Sequence, residues 1–341
     1  MIALDHWHIE PSSICTLKCP RCPRAEVPET LLNKSLSLQF FKERLGEDTV
    51  KQIKKITFCG NDGDPIYCKE FLEICRWLKQ VNPAISLVIV TNGSYKTPDW
   101  WAELATVLDH NDEINWSIDG WSQESNEQYR VNSDWNSIIA GIKSFTENNG
   151  TTYRVLATIG FKFNENNLAD IKDIAVRNNF DLWQLTKSTK FGSKYPDAYG
   201  NDDNLEPSLE LVSSSHRFER DLTFVSNKER PSKNLKEMFI ARGKELNSAN
   251  NYAGICLIGN KGVFLNSRGE FYPCCWTANR YEHNVKWHNL AATKFNLYKH
   301  KFTDIVKDGF WTNEFLEFNS LECRTKCTKD KLSDIIHISE W

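Results

Sequence analysis

The 341-residue chain has no apolar run approaching the ~20 residues that a membrane-spanning helix needs. Its first stretch, "MIALDHWHIEPSS", places Asp5, His6, His8 and Glu10 where a secretion signal needs unbroken apolar residues, so a cytoplasmic protein is expected. No charge of one sign dominates. Forty-two Lys and Arg face 45 Asp and Glu, a net charge of -3, and this excludes a chain-wide basic field for nucleic acid. The local cluster "KQIKK" (51–55) reads as a solvated helix face. The eight histidines show no metal-type H-x-x-E spacing, and the chain has no internal repeat or low-complexity tract.

Cysteine, by contrast, is plentiful. Eleven cysteines in a reducing compartment point to metal binding or catalysis rather than disulfides. They fall in groups: 15, 19 and 22; 59, 68 and 75; 256, 274 and 275; 323 and 327. Cys68 and Cys75 share helical spacing with Phe71 and Leu72 and read, with Cys59, as core thiols.

The first ~190 residues alternate strand and helix patterns. Strand signals lie at 6–12, 54–60, 85–93, 113–120, 153–161 and 180–187. Helical signals include 36–53, 68–81 and a segment with Pro98 near its start. Six strands alternating with helices predict an α/β fold, a partial (β/α)6 TIM-like barrel with a parallel sheet. Such sheets carry their chemistry at the carboxyl ends of the strands. The rhythm is lost in a polar, turn-rich stretch, and cysteines return after it. The division expected is a core over 1–190, a linker or substrate-facing insertion over 191–249, and a cysteine-bearing module over 250–341.

"SSICTLKCPRC" (12–22) follows the first strand and places Cys15, Cys19 and Cys22 within eight residues. Such a loop can wrap three corners of an iron–sulfur cube. With no fourth cysteine nearby, one iron is left open to chelate a ligand. Lys18, Arg21 and Arg24 offset part of the cluster's negative charge. A zinc site is the alternative for the same thiols.

The spacing C-x3-C-x2-C just after the first strand resembles the radical S-adenosylmethionine (radical SAM) superfamily. The resemblance implies a [4Fe–4S] cluster on these cysteines, with the amino and carboxylate groups of S-adenosylmethionine on the open iron. An electron then cleaves that cofactor to a 5′-deoxyadenosyl radical, which takes hydrogen from substrate. Arg21 departs from the aromatic residue that usually precedes the third cysteine. Further positions match in order along residues 6–190. "FCGNDGDP" (58–65) aligns Gly60, Asn61 and Asp62 with the turn that holds the methionyl amino group. "NWSIDG" (115–120) supplies Ser117 and Asp119 as ribose-hydroxyl partners. "VTNGS" (90–94) ends the third strand as an ordinary turn. "ATIGF" and "WQLTK" place Ile159 and Leu185 at adenine.

Near the other end, "GVFLNSRGEFYP" reads as a β-hairpin turning at Asn266 to Gly269. A hairpin brings Cys256 and Cys274 to its open end, where Cys323 and Cys327 of "ECRTKC" can join them. Four thiolates suit a closed cluster or a structural zinc. Adjacent strand residues point to opposite faces, so Cys274 and Cys275 are not expected to ligate together. The spacing resembles the SPASM/twitch modules of radical SAM enzymes, in the shorter twitch form with one auxiliary [4Fe–4S] cluster.

The resemblance therefore implies a radical SAM oxidoreductase or modifying enzyme with two clusters, S-adenosylmethionine, and an electron donor such as flavodoxin or ferredoxin. A peptide or protein is the expected substrate, oxidised, crosslinked or epimerised. With the triad at residue 15, no N-terminal leader-binding domain is expected. A small polar metabolite, such as a sugar or aminocyclitol undergoing dehydrogenation, is the alternative. A non-enzymatic metal-binding module is the reading from another class.

Overall fold

The computed structural model describes residues 4–22, 24, 31–188, 191, 205–218, 262–278 and 284–314. Its strands are β1 (His6–Ile9), β2 (Lys55–Phe58), β3 (Ser86–Thr91), β4 (Glu113–Ser117), β5 (Tyr153–Gly160), β6 (Leu182–Lys187), β7 (Ser214–Arg217), β8 (Val263–Leu265) and β9 (Phe271–Tyr272). Its helices are α1 (Leu38–Phe40), α2 (Glu47–Val50), α3 (Phe71–Val81), α4 (Pro98–Val107), α5 (Gln123–Glu127), α6 (Trp135–Asn148), α7 (Leu168–Arg177), α8 (Val285–Thr293), α9 (Phe302–Val306) and α10 (Phe310–Asn313). The six strands predicted in the first 190 residues all form, and the chain alternates them with helices.

The chain makes two compact units. One comprises Glu10–Ser35 and Phe58–Val225. Here β3, β4, β5 and β6 pair in parallel, with Ile89 beside Ile114, Trp116 beside Leu156 and Leu156 beside Trp183. The run "SLVIVT" of β3 is apolar at nearly every position because parallel strands are covered on both faces. The Trp116 ring packs on Trp101 of α4 at 5.6 Å, Phe145 of α6 at 5.4 Å and Phe180 at 5.6 Å. That fixes the helix-covered face of β4, so Asn115 and Ser117 lie on the other face. The helices start where capping chemistry allows. Thr97 accepts from Trp100 N ahead of Pro98, and Asp134 accepts from Ser137 N at 2.8 Å. β7 pairs antiparallel with β6.

The other unit comprises Met1–Ile9, Leu36–Thr57 and Ser226–Trp341. β1 pairs in parallel with β8, and β8 pairs antiparallel with β9. Trp7, fully buried, packs on Phe302 of α9 at 4.9 Å and Phe271 of β9 at 5.8 Å. The single helix expected over 36–53 is instead broken. α1 runs into a π turn over Phe41–Leu45, and α2 starts after Gly46. Gly46 has φ +76° and ψ 158°, a backbone state open only to glycine, so no helix continues through it. The expected β8–β9 hairpin forms. Gly269 turns it at φ +72°, with Gly269 N donating to Asn266 O at 3.0 Å.

Candidate functional site

The first-described unit places the loop after β1 against the turn after β2. Glu10 follows β1, whose residues alternate half-buried and buried, and is only 1% exposed. Its Oε1 accepts from Asp62 N at 2.5 Å and Gly63 N at 2.9 Å. A buried carboxylate is stable when backbone N–H groups satisfy it, and here it clasps the turn in return. The glycines make the approach possible. A Cβ on Gly60 would stand 2.4 Å from Glu10 Oε1, and one on Gly63 would stand 2.1 Å from Ser12 O. Arg24 Nη1 ties the two segments further, donating to Ser13 O at 2.8 Å and Asp62 O at 2.5 Å. Gly60, Asn61 and Asp62 are thus brought beside the chain that leads into the cysteine loop.

The three cysteines gather in one apolar cluster. Cys19, 8% exposed, packs with Leu17, Tyr129, Phe161 and Leu205, and the half-buried Cys15 and Cys22 pack against the same group. Burial pushes the Cys15 and Cys19 thiols up to about 12; the Asp64 carboxylate adds to this at Cys15, and the Arg130 guanidinium opposes it at Cys19. Polar groups face two of these sulfurs. Asn92 Nδ2 lies 3.7 Å from Cys15 Sγ, and the Arg130 guanidinium, 5.0 Å over the Tyr129 ring, places its charge near Cys19.

Buried sulfurs that already carry N–H donors are suited to thiolate charge, and iron–thiolate bonds replace the lost hydration. Among the described residues no group of three His, Cys, Asp or Glu side chains is placed to hold a single metal ion. A cube takes one thiolate per iron and does not require that convergence. The donor set fits a three-cysteine [4Fe–4S] cluster.

The remaining predicted positions divide. Ile159 packs against the cysteine cluster. Ser117 is half-buried at the end of β4, on the face away from the helices, with Ala157 as its register partner. Asp119 has a carboxylate that is 0% exposed, with Oδ1 accepting from Ile159 N at 2.6 Å and Oδ2 from Arg130 Nε at 2.5 Å, so each oxygen already holds one bond inside the protein. Leu185 pairs with Thr158, and since partners share a face, it lies opposite to Ile159; Thr186 is the β6 residue beside Ile159. The helix face claims Leu185 because β6 alternates with period two, and a one-residue difference reverses the direction.

Cys274 follows β9 and is buried, while Cys275 is half-buried. Cys256, Cys323 and Cys327 lie outside the described residues. Cys68 and Cys75 are buried on α3 and its approach, as core thiols should be, whereas Cys59 is half-buried.

Four site residues escaped the sequence reading: Glu10, Asp64, Asn92 and Arg130. The signal for Glu10 is a carboxylate closing an alternating strand. Asp64 and Asn92 sat in segments read as turns. Arg130 had no signal, since its partner Asp119 is 11 positions away across a helix.

Residues 9–175 match the Radical SAM superfamily. No curated protein matches the chain. Among solved structures, Streptococcus suis SuiB bound to its precursor peptide SuiA is similar with a TM-score of 0.56 and 14% identity, over 95% of this chain and 69% of that one. SuiB bound to S-adenosylmethionine is similar with a TM-score of 0.54 and 15% identity, over 91% and 68%. Native anSMEcpe with bound AdoMet and the Cp18Cys peptide gives a TM-score of 0.52 and 15% identity, over 96% and 86%.

Proposed function

Because residues 9–175 match the Radical SAM superfamily, whose members are enzymes of S-adenosylmethionine radical chemistry built on a [4Fe–4S] cluster, we propose that this chain modifies a peptide or protein, with Cys15, Cys19 and Cys22 as the ligands of that cluster. The observation that carries the reading is the convergence of these thiols in one apolar cluster with Ile159, beside a turn clasped by a buried carboxylate. A cluster held by Cys15, Cys19 and Cys22 would, with S-adenosylmethionine bound, supply the radical chemistry that abstracts hydrogen from substrate.

The chain's own residues bind, orient and exclude water. Gly60, Asn61 and Asp62 form the turn offered to the methionyl amino group, and Glu10 holds that turn through Asp62 N and Gly63 N. Ser117 presents a hydroxyl on the open face of β4, and Ile159 offers an apolar side chain beside the cysteines. Leu17, Tyr129 and Phe161 keep water from the thiolates. Asp119 organises Arg130 and Ile159 rather than touching a ligand. Cys274, at the end of the hairpin, is proposed with Cys256, Cys323 and Cys327 as the ligands of a second cluster in a twitch-type module. A flavodoxin or ferredoxin supplies electrons. The division into core 1–190, insertion 191–249 and module 250–341 goes with this reading.

A peptide substrate is favoured by the fold shared with two solved proteins that hold peptides, SuiB and anSMEcpe. The tests are direct. Reduced anaerobic protein given S-adenosylmethionine should form 5′-deoxyadenosine, and Cys19→Ala should lose at least ~100-fold of that rate, since a ligand to the cluster is gone. Undiminished formation in Cys19→Ala contradicts the ligand assignment. A uniformly deuterated peptide pool should place deuterium in the 5′-deoxyadenosine. Label from a deuterated metabolite extract instead contradicts the peptide reading.

A further inference from the structure

Two buried carboxylates in the site are taken up by hydrogen bonds within the protein. Each holds a polar side chain that lies beside a cysteine. Asp64 accepts from Ile66 N and Thr91 Oγ1 on one oxygen, and from Asn92 N at 2.7 Å and Asn92 Nδ2 at 2.6 Å on the other. The Asn92 Oδ1 accepts from Ser94 N at 2.9 Å. The amide therefore has one allowed orientation: a flip would set Oδ1 against the Asp64 carboxylate and point a donor at Ser94 N–H. In that orientation Nδ2 faces Cys15 Sγ at 3.7 Å.

Asp119 does the same for Arg130. Its own backbone is fixed by Asn126 Oδ1, which accepts from Asp119 N, and by Asn164 Nδ2, which donates to Asp119 O. With Oδ1 held by Ile159 N, Oδ2 receives Arg130 Nε at 2.5 Å, and the guanidinium lies over the ring of Tyr129, which packs with Cys19. One sulfur thus faces a neutral amide donor, and the next has a cation nearby.

Hydrogen bonds and charges at cluster sulfurs set reduction potential. Reduction adds one negative charge, which a nearby cation favours and a nearby anion opposes. We propose that Asp119–Arg130 and Asp64–Asn92 are positioning pairs that hold a cation near Cys19 and an N–H donor on Cys15 and so set the potential of the cluster these cysteines bind. This rests on the cluster assignment made under the proposed function. Arg130 raises the potential, Asp119 moderates it, and Asn92 contributes a smaller rise.

The experiment is an EPR-monitored redox titration of the full chain, reconstituted without oxygen. A Cys274→Ala background is used throughout, so that only the Cys15, Cys19 and Cys22 cluster is followed, and iron is counted in parallel. At a fixed potential, Arg130→Gln should lower the reduced-to-oxidised ratio about tenfold, equivalent to ~59 mV for a one-electron couple. Arg130→Lys should stay near wild type. Asp119→Asn should raise the ratio, because the cation is no longer half-neutralised. Asn92→Leu should lower it by less than Arg130→Gln. Opposite shifts in Arg130→Gln and Asp119→Asn are the signature that a merely structural clasp would not give. Unchanged midpoints, shifts of the same sign, or loss of iron in both variants overturns the proposal. If the parent protein holds no iron cluster, the functional reading itself has failed instead.

Discussion

Single residues in this protein settle conflicts between burial and charge, and each does so differently. Glu10 stays buried by accepting two backbone N–H groups, so its negative charge is dispersed over the turn it holds. His6 takes the other route. It lies on β1, its Nε2 is 3.3 Å from Thr57 Oγ1, and its pKa falls to about 3 through burial first and then the charges of Lys55 and His8. The unfolded chain takes up that proton near the ordinary histidine value of 6.5, and the folded chain resists it. The unfolded state therefore binds more protons across the window from about 3 to 6.5, and stability must fall as pH drops through it. The contribution has a limiting slope of ~1.4 kcal/mol per pH unit. His6→Gln removes it, so the difference between wild-type and variant urea stabilities should change steadily between pH 7 and pH 5, with the wild type losing more. A difference independent of pH in that range contradicts a neutral, half-buried His6.

At the scale of elements, α4 and α6 meet through a glycine. Gly141 of α6 leaves space for the fully buried Trp101, whose Nε1 would lie 2.3 Å from a Cβ placed there. Two effects compete in Gly141→Ala. Helix propensity favours alanine by ~1 kcal/mol, while overpacking against a rigid indole costs ~1–3 kcal/mol. Overpacking should win, because Trp101 is packed between Trp100 and Trp116 and has nowhere to move. The expected outcome is a lower urea midpoint by ~1–2 kcal/mol in stability, partly restored by Trp101→Phe in the same background. A stabilised Gly141→Ala would show that the helices separate at little cost.

Elements also differ in how openly the sequence announces them. The strands were legible because a short, continuous apolar run such as "SLVIVT", bounded by turn residues, is too brief for a buried helix and too apolar for a loop. The cysteine loop was legible because three thiols in eight residues do not suit a core. What stayed hidden was pairing between distant segments. The break at Gly46 depends on one backbone angle. The face of Leu185 depends on a register that differs by one residue from the alternative. The engagement of Asp119 with Arg130 depends on the turn after β4, and nothing in local composition announces it. A strand-end carboxylate that looks free to bind a ligand can already be spent on the protein.

For the whole molecule, family and fold agree. Residues 9–175 match the Radical SAM superfamily, and the chain's fold is similar to those of SuiB and anSMEcpe. No helix among the described residues is long and apolar enough to cross a membrane. The functional reading depends throughout on the thiols of Cys15, Cys19 and Cys22, sheltered among Leu17, Tyr129 and Phe161, holding a cluster with an iron left open to S-adenosylmethionine. That dependence is examined by the low-temperature EPR spectrum of the anaerobically reconstituted, dithionite-reduced protein before and after the cofactor is added. In the parent protein, a reduced [4Fe–4S] signal should appear and its g-values should shift on addition; in Cys15→Ala/Cys19→Ala/Cys22→Ala that shifting signal should be absent. A full-strength cluster signal that S-adenosylmethionine leaves unmoved would contradict the open iron.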